Sequence, residues 1–580
     1  MTSPHIINKV SLEMNTGSLG DVSSLQEDMS RLLWQQAFPQ MEQLFDQLIL
    51  TDEVVRLDRV VIDLPRFDPH YATADFVPQL MEVLERHLRE YLAGNHPVEI
   101  QHAYSSLTQS DDERVLYSQT RSDGESFLYF LQYGRLPWWS SRAPWPNWLT
   151  RWQSALPTEN SWQEPLRSLL ATQPNVVHRL VSQFPKPFQH QLLLHLQPTW
   201  IEGRSLLHQT QRLIAVLNVN DAARAQLTRS AWSILFTQVG QVSTYSPLPQ
   251  ARWIRQWMEQ LIALLQSAPS LHAWRQQFRS AESDSSLSQA LPTPVLKRFL
   301  EARITEAVSD HLPPWQQVLA QVLPAAATSE QTVTNEEISG PHDPLDRLHQ
   351  SDHPVAPADL DGADPENAQP SDSEAFNREQ LIRLYFSDEV REKTSESDLS
   401  KPTQASPLAP DETTSGLPIG QAGVVLLHPF LRPYFEDVGL LQGDRFQTTD
   451  CQQTAIYLLY YLATRQTDPP EYELVLPKLL CGWPLNEAVI PPDLPQTALD
   501  EAEHLLQTVI NYWEVLKSTS PDGLREGFLQ REGKLTRSDE SRWKLQVEQQ
   551  AIDILLSRLP WGVSMVRLPW MDGLLIVEWT

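Results

Sequence analysis

Few residues of this 580-residue chain stand at a spacing that could do chemistry. Gly527 to Leu535 comes nearest to a phosphate-cradling loop, in which backbone N–H groups wrap phosphates, a lysine neutralises them and a hydroxyl holds Mg²⁺. Here five residues separate Gly527 from Gly533 where that loop has four, and Leu535 stands where the hydroxyl belongs. Gly533 is expected instead to be a turn glycine feeding the next strand. His190 and His195 are five apart, which is not a same-face spacing for metal ligands on a helix. Asp359, Asp361 and Asp364 lack the glycine and closing Glu of a Ca²⁺ loop, so they read as solvated charge. His428, just before Pro429, reads as a histidine packed or capping at a helix start. Ser520-Pro521-Asp522-Gly523 is turn chemistry, with Asp522 a candidate N-cap for the helix that follows. The chain has no HExxH, CxxC, GxSxG or GxGxxG word. No catalytic, cofactor-binding or metal-ligating residue is assigned.

Two groups remain as candidate interaction residues. Trp138, Trp139, Trp145, Trp148 and Trp152 would suit a platform for carbohydrate or peptide, and an enzyme built on it would need a convergent carboxylate pair. The favoured reading is apolar packing between short helices, because aromatics beside prolines fill such corners. Trp138 and Trp139 are kept as interaction candidates. The second group is Phe376, Leu381 and Tyr385, in an island from Phe376 to Val390 that reads either as a short helix docking on a partner or as a transient helix in a linker.

Bulk properties narrow the function classes. A net charge of −28 argues against nucleic-acid binding, which needs a basic surface, and against an anionic membrane surface. It suits a basic partner or plain solubility. Cys451 and Cys481 make no disulfide framework and are expected as buried free thiols. No window approaches the ~18–20 apolar residues of a membrane span. Met1 to Asn8 lacks the charged start and apolar run of a signal peptide, so cytoplasmic synthesis is expected.

The elements that must position these residues fall into four regions of an α+β, mainly α-helical chain. Residues 1–105 read as a small N-terminal α/β module. Strands are expected at 5–15, with Ile6, Val10, Leu12 and Met14 on one face, at 54–64, and at Val98 to Ile100. Helices are expected at 22–50, kinked or divided at Pro39, and at 74–93. Residues 106–325 are a helical region rich in Trp and Pro. One short helix ends at Gly134, and others are expected at 163–172, 174–183, 187–196, 204–219, 222–240, 250–266, 292–308 and 314–323. Residues 326–419 hold 20 acidic and 6 basic residues and no tryptophan, the composition of a disordered acidic linker. Residues 420–580 form a C-terminal α+β module with helices at 425–439, 450–465, 472–481, 497–517 and 522–530. Strands follow at 542–548, 564–568 and 574–579.

Several ordered words cross these regions. Near the start stand His5-Ile6-Ile7, Leu44-Phe45-Asp46 and Leu57-Asp58-Arg59-Val60-Val61-Ile62-Asp63-Leu64. The interior holds Gly134-Arg135-Leu136-Pro137-Trp138-Trp139. The C-terminal region holds Leu426-Leu427-His428-Pro429-Phe430-Leu431, Tyr434-Phe435-Glu436, Tyr472 to Gly482, Leu516 to Arg525, Phe528 to Leu535, Arg558 to Ser564 and Leu568-Pro569-Trp570-Met571. Together they resemble the tape measure proteins of contractile injection systems, the phage-tail-like particles of bacteria. The resemblance implies a structural, non-enzymatic assembly component. It would set tube and sheath length with the inner tube and baseplate proteins as partners, and effector cargo as a further possible one. It would be made in the cytoplasm and incorporated into the particle. A cytosolic chaperone or cargo-loading adaptor of the same particle, with no length-setting role, is the alternative.

Overall fold

The computed structural model describes residues 5–7, 10–14, 22–49, 53–57, 60–64, 72–93, 116–140, 144–156, 160–198, 201–217, 219, 221–242, 249–267, 293–308, 312–323, 412, 416–537 and 542–579. Val98 to Ile100, the three linker aspartates and the island carrying Phe376, Leu381 and Tyr385 lie outside the described residues.

Near the N-terminus, α1 (Val22–Leu32) and α2 (Phe38–Leu48) are joined by a π turn, Leu33–Ala37, into one rod. The turn explains how Pro39 is accommodated. Proline has no N–H to give to the carbonyl four residues back, and its ring would press on that carbonyl. The wider turn shifts the bonding so that the Phe38 N–H donates to the Leu33 carbonyl. The rod packs on α3 (Ala72–Leu92) through Met29, Ala37, Phe76, Val77 and Leu80, and through Leu44, Leu84 and Leu88. Among the described residues, most of the strand expected at 5–15 and 54–64 does not form. Residues 5–7 and 10–14 are in no ladder. Among the described residues of this part, only Glu53–Val55 (β1) pairs, antiparallel to Leu116–Ser118 (β2), a strand that the sequence pattern does not announce. Alternation sorts side chains onto two faces; a strand also needs a neighbour's N–H and C=O groups, which the pattern does not report.

Among the described residues, ten helices follow as one packed body: α4 (Gln119–Tyr133), α5 (Trp145–Ala155), α6 (Gln163–Thr172), α7 (Pro174–Gln183), α8 (Lys186–Leu196), α9 (Ile201–Val216), α10 (Asp221–Gln241), α11 (Gln250–Ser267), α12 (Thr293–Ala307) and α13 (Leu312–Val322). The central helix is α10, which packs on α6, α7, α9 and α11. Caps set the ends of α4: the Ser118 Oγ accepts from the Arg121 N–H at 3.2 Å, and Gly134 takes φ 70° at the C-terminus. That left-handed turn is the one expected there. At the far end of the body, Trp253 and Trp257 stack with ring planes 1° apart, and Trp315 stands edge-on to both.

The C-terminal module has a five-stranded sheet in the order β3-β6-β7-β9-β8, from β3 (Leu417–Ile419), β6 (Gly533–Arg537), β7 (Arg542–Val547), β8 (Met565–Val566) and β9 (Leu574–Trp579). The β7–β9 pair is parallel and the rest are antiparallel. A two-residue hairpin, β4 (Leu441–Gln442) and β5 (Arg445–Phe446), stands apart. The helices are α14 (His428–Asp437), α15 (Thr449–Thr464), α16 (Val475–Leu480), α17 (Gln496–Tyr512) and α18 (Pro521–Leu524). Strand β3 starts upstream of residue 420, where the sequence reading begins this module.

Two local expectations change. Gly533 is no turn glycine: it sits in β6, paired with Ile419 and Val547, and a Cβ there would meet the Ala422 Cβ at 2.7 Å and the Gln546 carbonyl at 2.8 Å. The cap of α18 is Ser520, whose Oγ accepts from the Gly523 N–H at 3.1 Å, while Asp522 lies inside the first turn and pairs with Arg525 at 2.8 Å.

Candidate interaction site at the seam of body and C-terminal module

Buried charge concentrates where α4 and α7 of the helical body meet α16 and the 3₁₀ turn before it (Glu471–Leu474). Arg179 lies on α7 among Val176, Val177, Leu180 and Val181 and is itself fully buried. Its Nη1 donates to the Leu131 and Gln132 carbonyls, at 2.9 and 2.8 Å. These belong to the last turn of α4, where carbonyls lack helical partners and a cation is favoured. Its Nε donates to Glu471 Oε1 at 3.0 Å, and its Nη2 to the Asn486 carbonyl. Lys478 completes the group: its Nζ donates to the same Glu471 oxygen at 2.5 Å and to the Glu487 carbonyl at 2.8 Å.

A second pair adjoins the first. Arg135 grips Glu412 through two bonds, Nε to Oε1 at 2.8 Å and Nη2 to Oε2 at 2.6 Å, and the Tyr129 hydroxyl donates to Oε1 at 2.7 Å. Glu412 belongs to the acidic stretch assigned as linker, yet it is buried on the body. Three cations thus face two carboxylates away from water. Burial pushes Lys478 down to about 8, against the pull of Glu471, and also lowers Arg179. Gly134 is required at the crossing. Besides its positive φ, a Cβ would meet Glu471 Oε1 at 2.4 Å and Arg179 Nε at 2.8 Å. Backbone bonds tie the seam further: the Glu471 N–H donates to Gln183 Oε1 at 3.0 Å and the Ala488 N–H to Asn175 Oδ1 at 3.3 Å.

The candidate tryptophans do not form one surface. Trp148 and Trp152 are buried in the body's core, and the Trp152 Nε1 donates to Ser126 Oγ at 3.0 Å. Trp145 packs against Tyr472, at 6.0 Å between ring centres. Trp138 and Trp139 are half-buried, and the Arg56 guanidinium lies 3.5 Å over the Trp139 ring. Arg56 also pairs with Glu125 and donates to Ser122 Oγ at 2.6 Å, so Trp139 ties the N-terminal part to α4.

Residues Arg525–Leu529 form a π turn that leads into β6. A phosphate loop runs from strand to helix, so this order does not build one. The His428 Nδ1 lies 2.9 Å from the Val425 carbonyl at the start of α14, and burial pushes the imidazole down to about 4. Cys481 is buried, its thiol pushed up by burial, and Cys451 is half-buried; both are free. No set of three or more His, Cys, Asp or Glu among the described residues is placed to hold a metal. No described helix is long and apolar enough to cross a membrane.

The ordered words meet one another in space. His5 lies against Phe45 and Asp46, with its Nε2 2.9 Å from Asp46 Oδ1. Gly134 of the interior word sits on Glu471, next to Tyr472, while Lys478 within the Tyr472–Gly482 word binds Glu471. The Trp561 Nε1 donates to the Leu426 carbonyl at 3.0 Å, and the Trp570 Nε1 to the Leu480 carbonyl at 2.8 Å. A sequence model of the family described as contractile injection system tape measure protein matches residues 4–579. The chain belongs to that family. No curated protein and no solved structure matches it. Several of the words that carry the tape measure resemblance are thus packing partners although they stand far apart in the chain.

The seam residues were not singled out from the sequence. The available signals were Arg179 inside the apolar face of α7 and Lys478 inside a leucine-rich run. Neither placement is expected of a solvated charge.

Proposed function

We propose that this tape measure protein acts as a structural component that sets the length of the inner tube and sheath, working with the baseplate. We propose too that it is made in the cytoplasm and built into the particle. The observation carrying the reading is the family match over residues 4–579. The fold constrains how a length could be read. The longest described helices have 21 residues, about 32 Å at ~1.5 Å per residue, and the helices of the body pack around α10 rather than end to end. The helical body in this form is therefore no ruler. The acidic stretch lies between Leu323, at the end of α13, and Glu412, and both ends rest on one folded body. Fully extended, its roughly 85 residues would reach about 300 Å at ~3.4 Å each. A working ruler would use this stretch with the seam open, so that the body and the C-terminal module move apart.

The test is electron microscopy of particles from cells carrying an in-frame deletion of residues 330–405, which leaves Glu412 in place. Shorter particles of uniform length support the reading. Particles of unchanged length overturn it and favour an assembly chaperone or cargo-loading adaptor.

A further inference from the structure

Seven of the twelve large apolar side chains exposed among the described residues come from the first 92 positions, so unpartnered surface is concentrated there. Residues 10–14 alternate in sequence as a strand would, and Val10, Leu12 and Met14 are each 39–49 % exposed. They join no ladder. Residues 60–64, downstream of β1, also join none: β1 ends its pairing at Val55. Val60, Ile62 and Leu64 rest on the clusters between the α1–α2 rod and α3, while Val61 is 55 % exposed. The module thus holds two strand-patterned segments that join no ladder, and one has its apolar side chains partly in water.

Their sequences fit one another in one direction. Laid antiparallel about Leu12 and Ile62, they pair Val10 with Leu64, Leu12 with Ile62 and Met14 with Val60 on one face. The other face then holds Ser11 beside Asp63 and Glu13 beside Val61. Laid parallel, the apolar pairs survive but Glu13 falls opposite Asp63, and like charges directly opposite destabilise a ladder. Within one chain, the segments are joined by the α1–α2 rod. A single helical crossover of this kind returns the chain parallel. The antiparallel register is the one a second copy supplies.

We infer that two copies of this chain pair through these segments, residues 10–14 of one copy lying antiparallel beside residues 60–64 of the other, reciprocally about a two-fold axis. Such an interface uses the same patch on both partners and closes at two. It extends the apolar face of Val60, Ile62 and Leu64 with Val10, Leu12 and Met14.

Sedimentation of the full chain over about a hundredfold concentration range tests this. The expected result is a species of twice 66.3 kDa, with the Ser11→Pro/Leu12→Pro variant sedimenting at the single-chain mass and keeping its far-ultraviolet circular dichroism. A full chain that stays single throughout, or a variant that still pairs, overturns the proposal. A Leu12→Cys/Ile62→Cys variant checks the register independently of folding. Mild oxidation should give a covalently linked pair on a non-reducing gel, whereas thiols closing within one chain, or none closing, would overturn it.

Discussion

Arg179 and Glu471 are 292 positions apart, fully buried, and joined by a 3.0 Å hydrogen bond, while the same guanidinium donates through Nη1 to the last turn of α4. The pair makes the seam between helical body and C-terminal module depend on a few charges. Removing one partner of a buried pair typically costs about 3–5 kcal/mol, because the other charge is left uncompensated. Glu471→Gln leaves Arg179 and Lys478 facing each other and should lower the urea midpoint of unfolding more than Lys478→Met. It should also make the chain cleavable by trypsin near the seam under conditions where the parent resists. Equal midpoints for Glu471→Gln and the parent would remove the seam from the account of stability.

Lys478 gives this seam an alkaline signature. Its pKa falls from 10.5 unfolded to about 8 folded, so between these values the unfolded chain carries the extra proton. Stability should therefore rise with pH between about 8 and 10.5, and the burden of the buried charge is fully present below 8. The span corresponds to on the order of 3 kcal/mol. Thermal unfolding at pH 8 and pH 9.5 should show the parent gaining relative to Lys478→Met; parallel curves would contradict the assignment.

At the acid side the group is His428. Its pKa falls from 6.5 to about 4 because burial disfavours the imidazolium. The unfolded chain takes up the proton first, so stability present above 6.5 is lost as pH falls toward 4, by on the order of 3 kcal/mol. The difference in unfolding free energy between the parent and His428→Phe should shrink as pH falls through this range. A difference constant in pH would show that His428 does not carry the effect.

Gly134 and Gly439 share a left-handed backbone, with φ of 70° and 72°, but differ in surroundings. A Cβ on Gly439 meets nothing within 4 Å, whereas one on Gly134 meets Glu471 and Arg179. Gly439→Ala should cost only the conformational penalty, about 1–2 kcal/mol. Gly134→Ala should cost clearly more and share the trypsin sensitivity of Glu471→Gln. Equal losses in chemical denaturation would show that φ alone matters at residue 134.

The helices were legible where periodicity and punctuation agreed. The spans at 163–172 and 174–183 coincide with α6 and α7, because Pro174 opens the second and apolar spacing fixes both. Helix α5 was missed because its three tryptophans and Pro146 read as a corner, although Pro146 lies in its first turn, where proline is tolerated. The β4–β5 hairpin has strands too short to show alternation. At 5–15 the pattern was present and the ladder is not, since a face can be inferred from one segment but a neighbour cannot. Trp138 and Trp139 read as interaction candidates from the sequence; Trp139 meets Arg56, an intramolecular contact that no local spacing announces. The seam joins residues 135, 179, 412, 471 and 478, and no window short enough to show a period contains more than one segment of it.

A seam built from five charged side chains behaves differently in water from one built of leucines. On parting, each ion regains its hydration, which offsets much of the attraction given up. Aromatic contact also crosses here, from Tyr472 to Phe130 and Trp145. Were the body and the C-terminal module to part, the joint would bare mostly ions that water solvates, as a latch does, rather than the continuous apolar face of a weld.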